Sequence, residues 1–374
     1  MKKDGIWENS SHLSQISSIQ SIDGFFFKEG FSRDFVLMTF DEFGVDDGWR
    51  ILDPFVGSGT TLLAAKEYGV DAVGVDAAPL AVFVSQVKTA DYDLDELIRV
   101  RDWLLSRPFR KYDLSDVSGF VKRFFLKPSL EDIIFFREEI RRIDDPSIRN
   151  FFTLALMNAA MKVSFAYKDG AVLRVVKKPV PPFRKFFRRV VKNMIKDLKR
   201  IRFRPCEIEV YLGDARRLKF LEDDSFDAII TSPPYLNKIE YTKVYRIEYE
   251  LFFGDVHVDP IRSFIGLNPK NISDQFPELN LPEVAKAYFH DLKLCLEEMF
   301  RVLRDSGKVA MVVAGGVFPD RVVDSDILIA DLAERVGFKV EKIVAVNKRV
   351  ATTRRVIKIG EARESILIMS KPAG

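Results

Sequence analysis

The sequence predicts an α/β fold with a doubly wound, Rossmann-like sheet of seven strands and a mostly helical basic insertion. Three observations support this prediction. Short apolar runs alternate with longer amphipathic segments, which is typical of strands followed by helices. A glycine loop, Gly57-Ser58-Gly59, connects the first run to the start of a helix. Asp76 ends the next run 19 residues after Gly57, and this spacing is typical of folds that bind nucleosides.

The elements of the sheet are predicted from residue 50 onward. We expect strands at 51–53 and 72–75 and helices at 58–68 and 79–90, because each segment has the apolar period of its type. The remaining strands are expected at 208–212, 227–231, 308–314, 338–346 and 364–370. The glycine loop departs from the dinucleotide-binding pattern in one respect, since Leu62 occupies the position of the third glycine.

The segment from Asp91 to Pro205 has a different character. Helical runs are expected near 94–105, 129–143 and 147–167, followed by a basic run from 184 to 204. Between Met161 and Arg204 the chain carries 15 Lys and Arg against two Asp, a local charge of +13. The whole chain has a net charge of +3, so the other 330 residues sum to −10. One strongly basic segment in an otherwise acidic protein favours a polyanionic partner.

The basic run also has a helical period. Its apolar side chains recur at i, i+3 and i+4 spacing and are interpreted as core residues: Phe183, Phe186, Phe187, Val190, Met194 and Leu198. The opposite face is almost purely cationic, whereas an ordinary solvated face carries both signs of charge. We therefore predict contacts with nucleic-acid phosphates from Arg184, Lys185, Arg188, Arg189 and Lys192.

A proline corner follows the apolar run at 226–230. It reads Thr231-Ser232-Pro233-Pro234-Tyr235. Each Pro fixes φ at about −65° and lacks an N–H, so the chain should leave the sheet as a rigid turn with free carbonyl oxygens. The Ser232 hydroxyl and the Pro233 carbonyl could accept hydrogen bonds from the exocyclic amino group of a planar base, while Tyr235 stacks on its ring. The alternative is an ordinary proline turn that ends a strand.

The segment Asp53–Thr60 together with Ser232-Pro233-Pro234-Tyr235 resembles the S-adenosylmethionine-dependent amino-methyltransferases of nucleic acids, and the Ser-Pro-Pro-Tyr form resembles their cytosine-N4 branch. The resemblance covers about residues 30–90 and 207–371. It implies S-adenosylmethionine as the cofactor, a last strand that runs antiparallel, and Ser232, Pro233, Pro234 and Tyr235 as catalytic residues. The implied cofactor-binding residues are Asp53, Phe55, Gly57, Gly59, Thr60, Asp76 and Asp214. For Asp214, a helix N-cap is the alternative role.

With this resemblance the chain divides into three parts. Residues 1–90 form an N-terminal arm and the cofactor-binding half, residues 91–206 the helical basic insertion that binds substrate, and residues 207–374 the catalytic half. The segment 254–281 is expected to be a lid, a substrate-binding element or a disordered loop, with Asn268 and Asn271 as candidate substrate contacts. A hairpin-like segment from 348 to 358 adds a second small basic patch, which contacts nucleic acid or forms a solvated edge.

The predicted activity is methylation of cytosine N4 in structured RNA, most plausibly ribosomal. The insertion has only Asn193 among Asn and Gln between Met161 and Arg204, so it is better equipped to track phosphates than to read base edges. The alternative is a site-specific DNA cytosine-N4 methyltransferase. A transfer-RNA guanine-N2 methyltransferase and a non-catalytic RNA-binding protein are weaker readings.

Other classes of protein are disfavoured by the sequence. Cys206 and Cys295 lie far apart, and the three His residues form no cluster, so we predict neither a disulfide framework nor a metal site. The absence of a long apolar run near the start argues against a signal peptide or a membrane partner, and a cytoplasmic location is expected. The oligomeric state stays open, and a monomer is consistent with the sequence.

Overall fold

The computed structural model describes residues 31–169, 172–236, 241–254, 272–353 and 357–374. Its strands are β1 Arg50–Asp53, β2 Asp71–Asp76, β3 Ala166–Asp169, β4 Val172–Val175, β5 Ile208–Leu212, β6 Phe226–Thr231, β7 Leu303–Ala314, β8 Gly316–Val317, β9 Val322–Val323, β10 Lys339–Thr353 and β11 Ile357–Ser370. Its helices are α1 Arg33–Phe43, α2 Thr60–Tyr68, α3 Pro79–Thr89, α4 Leu94–Ser106, α5 Gly119–Lys122, α6 Lys127–Ile140, α7 Pro146–Val163, α8 Phe183–Arg200, α9 Tyr241–Val244, α10 Arg246–Glu248, α11 Glu283–Val302 and α12 Ser325–Val336. A π-helical turn spans Tyr249–Phe253 and a 3-10 turn spans Pro277–Leu279.

Seven strands form one sheet in the order β10-β11-β7-β6-β1-β2-β5. The pairs from β5 to β7 are all parallel, whereas β11 runs antiparallel to both β7 and β10. This arrangement confirms the predicted α/β fold with a seven-stranded Rossmann-like sheet and an antiparallel last strand. Because β1, β2, β5, β6 and β7 run the same way, their carboxyl ends meet at one edge of the sheet, where ligands bind in open α/β folds.

The sheet is covered by helices on both faces. On one face Phe35 of α1 and Leu62 of α2 share a core with alternate residues of β1, β6 and β11. On the other face Leu292 of α11 and Ile329 of α12 pack against the intervening residues of the same strands. Each fully buried side chain of this size stabilises the fold by about 1.5–3 kcal/mol. The alternation explains why two-sided burial produced the continuous apolar runs seen in the sequence.

The helical insertion shares a core with α3 of the sheet domain. Buried side chains of α4, α6, α7 and α8 pack together with Leu80 and Val84 of α3. On α8, the residues Phe183, Phe187 and Met194 of the predicted apolar stripe are buried, while Phe186, Val190 and Leu198 are partly buried against the same core. The interpretation of this stripe as core is therefore confirmed. The division of the chain after residues 90 and 206 stays a prediction.

Three elements differ from expectation. Strands β10 and β11 run well beyond the predicted 338–346 and 364–370, and their outer halves form a hairpin. The helix expected to reach residue 167 ends at Val163, because Phe165 donates its N–H to the Phe124 carbonyl and begins the small β3–β4 hairpin. Among the described residues after the proline corner, the short helices α9 and α10 are separated at Tyr245, whose φ of −103° and ψ of 16° leave helical geometry.

Several expectations lie outside the described residues. These are the N-terminal arm before residue 31, most of the 254–281 segment with Asn268 and Asn271, and the tip of the hairpin at 354–356. Within the ranges that are described, no helix is both long enough and apolar enough to cross a membrane.

Candidate active site

The glycine loop joins β1 to α2 at the carboxyl edge of the sheet. Gly57 and Gly59 have φ of +51° and +79°, a region that residues with a side chain rarely adopt. A Cβ added to Gly59 would lie 2.9 Å from Ser85 Oγ, so the close approach of α3 also requires glycine there. Thr60 is the first residue of α2, and the N–H groups of this first turn have no helical partner. The loop thus presents bare backbone at the predicted cofactor site, while the Gly57 N–H donates to Asp76 and the Gly59 N–H to the Val56 carbonyl.

Gly74 on β2 compensates for the missing third glycine of the loop. A Cβ at this position would lie 2.6 Å from Val56 Cγ2 and 2.7 Å from Leu62 Cδ1. In the dinucleotide-binding pattern the third glycine allows close packing between the helix and the strand. Here β2 carries the glycine and α2 carries Leu62. The helix and the strand can therefore pack closely because the strand, and not the helix, lacks a side chain at the contact.

Asp76 closes the loop from the end of β2. Its carboxylate accepts the Gly57 N–H at 2.9 Å and the Ala78 N–H at 2.9 Å. Because an ionised carboxylate offers about four acceptor sites, capacity remains for the hydroxyls of a ribose. Burial raises the pKa of Asp76 to about 6, since water is excluded from the charged form.

Asp53 connects the start of α2 to the end of β6 through its buried carboxylate. Its carboxylate is buried and accepts from Thr61 Oγ1 at 2.7 Å, from Thr231 Oγ1 at 2.7 Å and from the Phe55 N–H at 3.2 Å. One carboxylate therefore ties β1, the start of α2 and the end of β6 together. Burial raises the pKa of Asp53 to about 6, against the lowering effect of these three donors. The geometry suits a residue that positions the cofactor loop against the proline corner, and a direct contact of Asp53 with the cofactor stays a prediction.

The proline corner begins directly after β6. The Ser232 Oγ atom is buried and has no hydrogen-bond partner among the described residues. A buried hydroxyl without a partner costs about 1–3 kcal/mol, so its persistence indicates a ligand group that would satisfy it. Pro233 is buried and Pro234 is partly exposed. Leu236 packs closely against Gly316, since a Cβ added to Gly316 would lie 2.6 Å from Leu236 Cδ2.

Tyr235 is anchored more firmly than the sequence suggested. Only 5% of the residue is exposed, and its hydroxyl lies 3.0 Å from Glu364 Oε1 on β11, to which it donates. This bond joins the corner to the antiparallel strand. Stacking of the Tyr235 ring on a base stays a prediction.

Asp214 follows β5 and is already engaged by a neighbouring cation. Arg216 reaches its carboxylate through Nη2 at 2.7 Å and extends to Asp291 Oδ1 at 2.9 Å. Burial acts to raise the pKa of Asp214, but the hydrogen bonds and charge of Arg216 outweigh burial and hold it below the usual range. The carboxylate also accepts the Arg216 N–H at 2.9 Å, which is a local turn rather than a helix N-cap.

The exposed face of α8 carries the predicted phosphate contacts. Arg184 donates to Asp132 Oδ1 at 2.7 Å, and its guanidinium carbon lies 5.0 Å from the Phe109 ring centroid and 5.1 Å from that of Phe135. Arg184 is therefore part of the packing between α8 and α6, but 41% of its side chain is exposed, and its contact with phosphate stays a prediction. The other four predicted cations are exposed and make no ion pair within the described ranges: Lys185, Arg188, Arg189 and Lys192.

The structure places predicted site residues at the ends of four neighbouring strands. The predicted cations of α8 lie on the helical insertion and not at these strand ends. Asp53, Asp76, Asp214 and Ser232 follow adjacent parallel strands at one sheet edge. Three functional contacts were missed, namely those of Thr61, Thr231 and Glu364. Thr231 belongs to the proline corner and Thr61 lies two residues after Gly59, so both were visible as residues without an assigned role.

Nowhere in the described ranges do three or more His, Cys, Asp or Glu side chains converge as metal ligands. Cys295 is buried and Cys206 partly buried, and both are free thiols whose pKa is raised chiefly by burial.

Comparisons with known proteins find methyltransferases among the proteins that are similar to this chain. No family model matches the chain. The type II methyltransferase M.BsoBI of Geobacillus stearothermophilus is 25% identical, over 96% of this chain and 87% of that protein. The type II methyltransferase M.AvaI of Nostoc sp. is 24% identical, over 86% of this chain and 79% of its own. Among solved structures, a SAM-dependent methyltransferase of Methanosarcina mazei is 11% identical, with a TM-score of 0.33. The match covers 88% of this chain and 95% of that chain. The two type II relatives support a methyltransferase and confirm S-adenosylmethionine as the predicted cofactor.

Proposed function

We propose that this protein is a DNA methyltransferase that transfers the methyl group of S-adenosylmethionine to the exocyclic N4 amino group of cytosine. The observation that carries the proposal is the buried Ser232 hydroxyl without a partner, next to a proline corner that Asp53 ties to the glycine loop. The glycine loop and Asp76 fit a nucleoside, since bare backbone and a carboxylate suit its ribose. These features give one site for a cofactor and an adjacent site for an amino group.

The chemistry requires little beyond positioning. S-adenosylmethionine supplies an electrophilic methyl group when it is bound. The cytosine amino nitrogen is a weak nucleophile, because its lone pair is delocalised into the ring. Ser232 Oγ and the Pro233 carbonyl would accept its two N–H groups, which favours a pyramidal nitrogen with the lone pair directed at the methyl carbon. With the cofactor bound, the nitrogen–carbon bond would form as the carbon–sulfur bond breaks, and the surplus amino proton would pass to solvent water.

DNA is proposed as the substrate in place of the RNA expected from the insertion. Two relatives that align along most of the chain are named type II methyltransferases, and this kinship supports a DNA-modifying enzyme. The expected preference for structured RNA finds no support in the comparisons, and the DNA alternative fits them better. The exposed cations of α8 are compatible with this substrate, since phosphate contacts serve either nucleic acid. A cytosine within duplex DNA must be flipped out of the stack, and backbone contacts hold the duplex while this occurs.

The choice of cytosine N4 rests on the Ser-Pro-Pro-Tyr sequence of the corner. A hydroxyl at Ser232 can accept one amino N–H without introducing a second negative charge beside Asp53. The relatives' names support methyl transfer without specifying the nitrogen, so the N4 position is the finer part of the proposal.

The substrate class can be tested by methyl transfer from labelled S-adenosylmethionine to unmethylated duplex DNA, ribosomal particles and total RNA in parallel. We expect label in duplex DNA and none above background in either RNA sample. Ser232→Ala serves as the blank, and Ser225→Ala at the opposite end of β6 serves as the active control. Label in RNA alone would overturn the DNA assignment while leaving the methyltransferase chemistry intact.

Cofactor affinity should depend on pH through Asp76. The pKa of this carboxyl is about 6, and only its ionised form accepts hydrogen bonds from both ribose hydroxyls. Affinity is therefore full above pH 7 and should fall by up to about tenfold for each pH unit below 6, as the carboxyl takes up a proton. Calorimetric titration between pH 5 and 8 measures this, and Asp76→Asn should bind weakly with a flatter profile. An equally steep profile in Asp76→Asn would assign the proton to another group.

The α8 cations should account for part of the salt dependence of DNA binding. Reversing Lys185, Arg188, Arg189 and Lys192 to Glu removes contacts that each contribute about 0.9 to the slope of log affinity against log salt, so the slope should flatten by up to about 3.6. Arg184→Gln is the matched contrast, because this residue is held by Asp132 and should lower stability without changing the slope. An unchanged slope in the fourfold variant would locate the phosphate contacts elsewhere.

A further inference from the structure

The outer halves of β10 and β11 form a two-stranded ribbon that extends past the rest of the sheet. Strand β7 pairs with β11 only from Ser370 to Glu364, where it reaches its last residue, Ala314. Strands β10 and β11 stay paired beyond this point, from Asn347 opposite Glu364 to Thr353 opposite Ile357. Six residues past Asn347, at about 3.3 Å each, give the ribbon a reach of about 20 Å.

The ribbon projects from the edge where the candidate active site lies. Strand β11 is antiparallel to both β7 and β10, so β10 runs in the same direction as β7, β6 and β1. Its continuation therefore leaves the sheet on the side of the carboxyl ends of those strands. Asp53 and Ser232 lie at the same ends.

The base of the ribbon is fixed to the proline corner. Glu364, the first residue of β11 that reaches β7, accepts the hydrogen bond from Tyr235. The neighbouring Arg363 carbonyl accepts the Gly315 N–H at 2.8 Å. Further out, a Cβ at Gly360 would lie 2.9 Å from Val322 Cγ2, so β9 supports the ribbon from one side. These contacts hold the ribbon in a defined position relative to the base-binding corner.

The surface of the ribbon is unusual for a solvated hairpin. Two large apolar side chains of the ribbon are exposed to solvent. Val350 is 59% exposed and Ile357 is 56% exposed. Lys348 and Arg349 are exposed beside them and make no ion pair within the same ranges. An isolated two-stranded ribbon is marginally stable in water, so a projecting ribbon with cationic and apolar side chains favours a binding surface.

We propose that this ribbon enters the major groove of duplex DNA beside the target cytosine and contributes to sequence recognition. The proposal rests on the DNA methyltransferase function proposed above. The major groove of B-form DNA is about 12 Å wide and admits a two-stranded ribbon. Lys348 and Arg349 carry donors suited to the guanine edge or to flanking phosphates, and Val350 and Ile357 suit the thymine methyl group. The major groove of A-form RNA is too deep and narrow for such side chains, so the occupant is duplex DNA.

The test uses the full-length protein and a library of duplexes with random sequence around cytosine. Wild type, Arg349→Gln and the double variant Val350→Ser/Ile357→Ser each methylate the library, and single-molecule sequencing reads the context of every modified base. Lys339→Gln is the matched control, because Lys339 is an exposed cation at the opposite end of β10. Thermal unfolding and S-adenosylmethionine titration accompany each variant.

The ribbon variants should lower kcat/KM on duplex DNA roughly tenfold or more and relax the preference at one or more base positions. Their Tm and cofactor affinity should equal those of wild type, and Lys339→Gln should match wild type throughout. If wild type methylates the library and both ribbon variants retain its rate and its sequence preference, the ribbon proposal is overturned and the proposed function stands. If wild type leaves every duplex unmodified, the proposed function fails, and the ribbon proposal fails with it.

Discussion

Replacing Ser232 with Ala should lower kcat for methyl transfer about 100-fold while leaving the affinity for S-adenosylmethionine unchanged. The Ser232 Oγ atom is buried and has no partner among the described residues, so its capacity to accept a hydrogen bond is reserved for a ligand. Without it the amino group loses one of two acceptors, and a small misplacement of a reacting atom costs about this much in rate. Single-turnover kinetics together with calorimetric titration of the cofactor measure the two quantities.

Ser225→Ala is the matched control for this prediction. Ser225 precedes β6, at the end of the strand far from the corner, and its hydroxyl donates to the Glu222 carbonyl at 2.7 Å. This variant should keep wild-type kcat. A Ser232→Ala enzyme that turns over at the wild-type rate would mean that the hydroxyl does not contact the substrate and that the corner is only a turn.

Replacing Asp53 with Ala should impair both stability and cofactor binding. The change removes the acceptor shared by Thr61, Thr231 and the Phe55 N–H. Thr61 keeps a second acceptor in the Ile230 carbonyl at 3.3 Å, so two buried donors lose their partner at a cost of about 2–4 kcal/mol. Cofactor affinity should fall at least about tenfold, because the glycine loop loses its anchor to β1. Chemical denaturation and cofactor titration measure these effects.

The stability loss in Asp53→Ala should itself depend on pH. Burial raises the folded-state pKa of Asp53 to about 6, above its value of 3.8 in an unfolded chain. The contribution of this group is therefore fully present below the unfolded pKa and declines as pH rises through 6. The difference between wild type and Asp53→Ala should be larger at pH 5 than at pH 7.5. A difference that grows with pH would contradict the raised pKa.

Asp227→Ala provides a control at the other end of the same two strands. The Asp227 carboxylate accepts the Arg50 N–H at 2.7 Å and pairs with Arg304 at 2.6 Å, so it also ties β1 to β6, but away from the loop. We expect a stability loss of about 1 kcal/mol with normal cofactor affinity. Equal loss of cofactor binding in the two variants would make the role of Asp53 one of general stability.

The sheet could be predicted because its strands are buried on both faces. The run Ala72-Val73-Gly74-Val75 is apolar throughout, and the structure buries every one of its residues between two helical layers. The ribbon was predicted only as a hairpin-like basic patch at 348–358, because the extent of its strands could not be read from the same signal. Around Lys348, Arg349 and Val350 both faces of the hairpin meet solvent, so no apolar alternation marks the strands.

Contacts between distant segments explain the remaining differences. The helical period placed Arg184 on the cationic face of α8, but Phe109 and Asp132, which hold its guanidinium, come from segments at least 50 residues away. In the same way Glu364 meets Tyr235 across 129 residues. Residue spacing cannot reveal such pairs. It identified one member of each pair, Arg184 and Tyr235, but not the distant partner.

The central claim is methyl transfer to the N4 amino group of cytosine in DNA. Its most direct test is mass spectrometry of nucleosides released from unmethylated duplex DNA after incubation with the wild-type protein and S-adenosylmethionine, with Ser232→Ala as the blank. The account predicts N4-methyl-deoxycytidine in the wild-type digest and none in the blank. N6-methyl-deoxyadenosine or C5-methyl-deoxycytidine as the sole product, or no modified nucleoside, would contradict it.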